Sequence, residues 1–318
     1  MEIPGDFRSG IFFRTDQAMK YNYLIILLLF IAVFVPAGPQ PRAGNVTDQL
    51  GRNLSVPDNP QRIVALAPSI TEIIFALDCG HRLKGVTQYS DFPPQASALP
   101  QVGSYVYPDL EKIVALQPDL CIAVKDGNPK NVADRLEAMN IPVYAVDPRN
   151  IETVADTIIR IGGLLNASEK AESIVRNMRL RVERVKSAAA KAAHRPGVFF
   201  QIGISPIVAV GTHTFIHELI VSAGGKNLSE GTVPYPRYSR EQIIALSPDI
   251  FIITSMTRGE IFERVKAEWC KWPDLPAVKN NRIFLVDSNV FDRPTPRLAD
   301  GLELLFGLIH PELAGELQ

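Results

Sequence analysis

The chain has 318 residues, 46% hydrophobic and 21% charged, with a formal net charge of −1. That is the composition of an ordinary globular protein, long enough for one large or two ordinary domains. The near-neutral balance, without a basic patch interleaved with aromatics, argues against nucleic-acid binding. Cys79, Cys121 and Cys270 have no short spacing and are too few for a disulfide framework or a cysteine metal site; Cys121, in an apolar run, reads as a buried small hydrophobe.

At the N-terminus, Met19-Lys20 precedes the uncharged run YNYLIILLLFIAVFV. The run is short for a membrane span and well formed for a cleaved secretory signal, with Val35-Pro36-Ala37 or Pro41-Arg42-Ala43 as the small-residue cleavage site. Residues 1–18 are polar and fit no part of such a signal, so the true start is expected at Met19 and the signal region at 1–43. No cysteine lies near the cleavage region, so no lipid-anchored mature end is expected.

Residues 44–60 are polar and turn-rich and suggest a hairpin. Ile63–Leu66 reads as a strand, followed by a helix to Leu77 that Ser69 and Glu72 would open as a capping box. A strand begins at Gly85, and the loop YSDFPPQASALPQVGSYVYPD follows. The chain then alternates: helix 110–116, strand Leu120–Val124, helix 129–139, strand Val143–Val146, helix 151–164. The alternation indicates a parallel-type α/β lobe. The stretch from Asn166 to His194 contains no Pro or Gly and repeats apolar residues at Ile174, Met178, Val182, Val185 and Ala189. It reads as one helix, capped by Asn166 with Glu169, stopped by Pro196-Gly197, and about 40 Å long. Strand 198–202, helix 213–223, helix 239–246, strand 250–254, helix 260–269, strand 283–286 and helix 296–309 then form a second α/β half, with a Pro-rich loop, SNVFDRPTPR, before the last helix.

The two halves share a repeat. DLEKIVALQPDLCIAV at 109–124 and SREQIIALSPDIFIIT at 239–254 align without a gap, with seven identities in sixteen positions. Glu111 and Glu241 are one identical pair, and Tyr105 and Tyr235 fall at the same offset. Two related lobes, an N-terminal one at 44–165 and a C-terminal one at 196–318, with a linking helix at 166–195, describe a clamshell, whose ligand belongs in the cleft between the lobes.

No nucleophile elbow, phosphate-binding loop or dinucleotide fingerprint occurs. His213 and His217 are four apart on a predicted helix, but a zinc-protease motif fails at Val221, where its second histidine would stand. No carboxylates pair for acid–base work. Catalytic residues are therefore expected to be none, metal ligands none and cofactors none; a metal-binding role for His213 and His217 is the weaker rival reading.

RIVALAPSITEIIFAL, YSDFPPQA, LEKIVALQPDL, Gly127-Asn128, QIGISP, GGKN, VPYPRYSREQIIALSPD and FDRPTPR together carry a family likeness. Over about residues 60–312 the chain resembles the periplasmic solute-binding proteins of ABC importers for cobalamin, ferric siderophores and haem, and within them the cobalamin-binding members. The resemblance implies two similar α/β lobes joined by one long helix, the helical-backbone (class III) architecture, and a monomer exported to the periplasm. It would capture a corrinoid and hand it to the transmembrane permease subunits with their ATPase. It places Tyr89, Tyr105, Tyr235, Arg293, Asn289 and Phe291 at the ligand, and Glu111 and Glu241 at the permease, one per lobe. Tyr105 and Tyr235 stand where tryptophan occurs in well-known cobalamin binders, Asn289 where an acid occurs, and Val124, Val208 and Val290 where aromatics occur. The same architecture with a ferric siderophore or haem is the alternative, for which Arg237, Arg258 and Arg293 are the available cations. A lone rigid helix between lobes also implies little motion on binding.

Overall fold

The computed structural model describes residues 43–254 and 261–317. The Met19 start, the signal run, the cleavage sites and Arg258 lie outside the described residues. An antiparallel hairpin of β1 (Ala43–Thr47) and β2 (Asn53–Pro57) leads in. The first lobe then follows in order: β3 (Ile63–Ala65), α1 (Pro68–Ala76), β4 (Leu83–Gly85), α2 (Leu110–Ala115), β5 (Leu120–Val124), α3 (Lys130–Ala138), β6 (Val143–Val146) and α4 (Ile151–Leu164). After α5 (Ser168–Ala189) come β7 (Gly197–Ile204), β8 (Ile207–Ala209), α6 (Phe215–Ser222), β9 (Lys226–Asn227), β10 (Arg237–Tyr238), α7 (Arg240–Leu246) and β11 (Ile250–Ile253). The chain closes with α8 (Ile261–Trp269), α9 (Pro276–Lys279), β12 (Ile283–Leu285), α10 (Ser288–Phe291) and α11 (Leu298–Ile309).

The sequence repeat extends to the sheets. In the first lobe the order β4-β3-β5-β6 is wholly parallel. In the second, β9-β7-β11-β12 is parallel in the same order, with β8 added antiparallel to the far end of β7 and β10 antiparallel to β8. The identical Pro-Asp pairs have one job in both lobes. Asp119 accepts from the Gln61 and Arg62 amides and Asp249 from the Gly197 amide, each fastening the start of the neighbouring strand. Both preceding helices close with a left-handed residue, Gln117 (φ 48°) and Ser247 (φ 49°).

Alternation within each strand serves two faces, as the two-residue period requires. Leu120 and Ile122 of β5, and Ile250 and Ile252 of β11, enter one large core. Cys121 and Ala123 face a smaller core under α2 and α3, and Phe251 and Ile253 another beneath Trp269. The large core is continuous from lobe to lobe, because α5 packs between α4 and α11.

That helix differs from the expected one. It runs 22 residues, about 33 Å at 1.5 Å per residue. Asn166 is left-handed (φ 54°) and closes the turn after α4, its amide donating to the Asp58 carbonyl, so Ala167 is the N-cap without a side-chain bond. The buried stripe is Ala171, Val175, Met178, Val182, Val185 and Ala188, with Ile174 and Ala189 only half-buried beside it. After Ala189 the chain turns off toward β7, and Arg195 donates to the Val221 carbonyl. On the outer side Arg181 and Arg184 grip Glu303 of α11, and Arg179 pairs with Glu152 of α4. No helix among the described residues is long and apolar enough to cross a membrane.

Candidate interlobe binding site

A cavity of about 930 Å³, counted to its open mouth, lies between the lobes. Its first wall is built at the carboxyl ends of parallel strands, where open α/β sheets leave a crevice. Ala67 and Pro68 follow β3, Val124 ends β5 with Asp126 just beyond it, and Asp147 and Pro148 follow β6. Phe215, Tyr235, Ser288, Asn289, Asp292 and Arg293 face them from the second lobe.

Tyr89, Tyr105 and Tyr235 all line the cavity, and Tyr89 and Tyr235 are each 42% exposed. Burial raises the phenols of Tyr105 and Tyr235 above their ordinary range, and the neighbouring carboxylates Asp292 and Asp126 add to this. Both therefore remain neutral hydrogen-bonding phenols. Tyr105 is seated by the Gly127-Asn128 pair. The Asn128 amide donates to the Tyr105 and Leu66 carbonyls while its oxygen accepts from the Val124 amide. Gly127 has φ 112°, and a Cβ there would meet the Tyr105 ring at 2.2 Å. Gly127→Ala is expected to push that ring off the wall and weaken ligand binding about as much as Tyr105→Ala, roughly tenfold by calorimetry. On the facing lobe, Gly211 donates to the Pro234 carbonyl so closely that a Cβ would lie 1.9 Å from the Val233 carbonyl oxygen. This bare backbone pins the loop that carries Tyr235.

Arg293 sits differently from a free ligand contact. Its guanidinium donates to Glu72 Oε1 at 2.7 Å, to the Tyr89 carbonyl at 2.7 Å and to Asp91 Oδ1 at 2.9 Å. Arg297 completes the cluster through two bonds to Glu72 and stacks 3.8 Å from the Phe92 ring centre. Glu72 is buried on α1, so it does not cap that helix; Ala67 occupies the N-cap position without a side-chain bond. Glu72 of α1 with the YSDFPP loop, and FDRPTPR from the other lobe, thus supply the two sides of one ionic clamp. A second tie flanks the cavity: Glu218 of α6 accepts from the Ile151 amide at 2.6 Å, capping α4 of the other lobe.

Asn289 lines the cavity, whereas Phe291 is fully buried against Phe200 and does not reach it. Among the three valines, Val124 lines the wall; Val208 pairs with Arg237 in the sheet, and Val290 packs on the core beside α11. The histidines do not share one helix face, since α6 begins at Phe215 behind the Thr214 cap and leaves His213 outside it. His217 Nδ1 accepts from the Asn227 amide at 3.0 Å, and burial lowers its pKa, which keeps it neutral. Among the described residues no cluster of three His, Cys, Asp or Glu side chains could hold a metal ion. Glu111 and Glu241 both stand exposed in the first turns of α2 and α7, and hydrogen bonding from Ser239 lowers the pKa of Glu241. Sequence reasoning missed Glu72, Glu218, Asp126, Asp147 and Asp292; only the spacing of Asp292 beside Arg293 in the last motif could have signalled any of them.

Residues 63–290 match a family described as "Periplasmic binding protein". The "Vitamin B12-binding protein" of Vibrio campbellii is 32% identical over 244 residues, 76% of this chain and 86% of that protein. The structure of the periplasmic vitamin B12-binding protein BtuF of Vibrio cholerae superposes with a TM-score of 0.69 at 29% identity, covering 79% of this chain and 97% of that one. A periplasmic heme-binding protein from Pseudomonas aeruginosa gives a TM-score of 0.72 at 27% identity, over 79% and 93%. The two similar lobes on a helical backbone are the class III architecture that these structures share. With the match covering both lobes and the helix between them, the chain belongs to the periplasmic binding protein family.

Proposed function

We propose that this protein captures cobalamin or a related corrinoid between its lobes and delivers it to the membrane permease of an ABC importer, a binding role without catalysis. The relatives' named ligand supports this, and one observation of the site carries it. Among the described residues the lining joins three tyrosines to three carboxylates, and the arginine among them is already held by Glu72 and Asp91. Asp126 and Asp147 are likewise bridged by Arg149. Flat phenols suit a broad, mostly apolar corrin edged with amides. A ligand rich in carboxylates would instead meet acids whose cations are engaged. Titrating purified protein by calorimetry with cobalamin, cobinamide, haem and a ferric siderophore tests the reading. Corrinoids are expected to bind; haem or siderophore binding alone would reject it. Tyr105→Ala and Tyr235→Ala are each expected to weaken corrinoid binding about tenfold.

The lobes at 44–165 and 196–318, joined through 166–195, act in this proposal as a monomer whose export signal is removed. Glu111 and Glu241 dock one on each side of the permease, which works with its ATPase. Exposed ion pairs give only about 0–1 kcal/mol each, so these would fix register more than affinity. Glu111→Ala with Glu241→Ala is expected to leave the Kd for cobalamin unchanged and impair uptake. Normal uptake by the double variant would refute the docking assignment.

A further inference from the structure

Asp292 ends α10 in the cavity wall, beside the clamp and outside it. Among the described residues its Oδ1 has no hydrogen-bond partner and is closed to water, and Oδ2 is held only by Thr254 Oγ1, at 3.4 Å. Arg293, next in sequence, directs its guanidinium to Glu72, Asp91 and the Tyr89 carbonyl instead. The other groups facing Asp292 are Asp287 at the start of α10, Thr254 at the end of β11, and the phenols of Tyr105 and Tyr235. A buried oxygen without a partner is costly, and each one in a native structure calls for an explanation. The terminal torsion of an aspartate is broad, so a modest rotation of this weakly held carboxyl presents an oxygen to the cavity.

We propose that Asp292 is the specificity-determining residue of this site, pairing with a carboxamide on the ligand and turning away ligands that carry a carboxylate there. The inference rests on the corrinoid reading and deepens it. Burial pushes the Asp292 carboxyl up to about 7; the Thr254 bond and Arg293 oppose this, and Asp287 adds to it. A carboxamide satisfies both forms, giving its N–H to the anion or accepting O–H from the acid. A ligand carboxylate can pair only with the acid, so its binding must fall as pH rises through 7. The same shift means that the folded state holds this proton more tightly than the unfolded chain. The residue's destabilising contribution is absent below pH 4, grows as pH rises to about 7, and persists above it.

The test compares cobalamin with its set of monocarboxylic acids, in each of which one ring amide is hydrolysed, at pH 5.5 and 8.5. Cobalamin is expected to bind with nearly equal affinity at both. At least one monocarboxylate is expected to lose roughly 30-fold between them, from a group titrating near 7. Asp292→Asn should abolish that loss, and should raise Tm at pH 8.5 more than at pH 5.5. If wild-type protein binds every monocarboxylate with the pH profile of cobalamin, the proposal is wrong, whatever the variant does. It is equally wrong if the loss persists in Asp292→Asn. Failure of wild-type protein to bind cobalamin at either pH would overturn the corrinoid reading itself, and this inference with it.

Discussion

Glu72→Ala is expected to destabilise the protein by about 3–5 kcal/mol, the cost of leaving buried charge without its partner. The Glu72 side chain is 3% exposed, and those of Arg293 and Arg297 are 9% and 19%. Removing the carboxylate strands two guanidiniums that reach it from the opposite lobe. Asp91 retains Arg293, and the Asn289 carbonyl and Phe92 ring retain Arg297, so the lower end of the range is the better expectation. Denaturant unfolding measures the loss. Glu72→Gln, which keeps the shape and an acceptor oxygen, should recover part of it. Because the same loop carries Asn289 and Asp292 into the cavity, ligand affinity should fall with stability in Glu72→Ala. Unchanged stability would mean that the clamp is energetically idle.

Met178→Ala on α5 is the second large effect, about 2–5 kcal/mol for truncating a buried methionine. Met178 is 1% exposed, midway along the stripe that both lobes share. The continuity of the large core across α5 makes a further demand. Both lobes should melt in a single calorimetric transition, in wild-type protein and in the variant alike. Two transitions, with only one shifted by Met178→Ala, would show that α5 links the lobes without coupling them.

Much of this architecture could be read from periodicity. The buried strands Leu120–Val124 and Ile250–Ile253 stood out as apolar runs, and the repeat correctly announced two sheets of one design. Asp119 and Asp249 show why the repeat includes a charged pair: each carboxylate fastens a strand end. Helix ends were less legible. Asn166 looked like a cap, but the chain needed a left-handed residue to turn from α4 into α5, and asparagine serves both purposes. Glu72 looked like a capping-box acid because three-residue spacing cannot show that two arginines from over two hundred residues away claim its carboxylate. The repeat and the family likeness single out the tyrosines that line the cavity. Glu218 is not singled out, since nothing local distinguishes an acid that reaches the opposite lobe from a solvated one, and for Asp292 the only local signal is its place beside Arg293. Phe291 was misplaced for the opposite reason: a phenylalanine in a loop motif resembles a ligand contact until Phe200 is seen beneath it.

The structure of the protein crystallised with cobalamin is the most direct measurement. The corrin is expected between the lobes, against Tyr89, Tyr105 and Tyr235, with Glu72 still bound to Arg293 and Arg297. Each lobe should keep its backbone within about 1 Å, as pre-organised complexes do, with little rotation of one lobe on the other. Cobalamin bound outside the cleft, or a cleft that opens widely and breaks the Glu72 clamp to admit it, would contradict the proposed capture between lobes held at a fixed spacing.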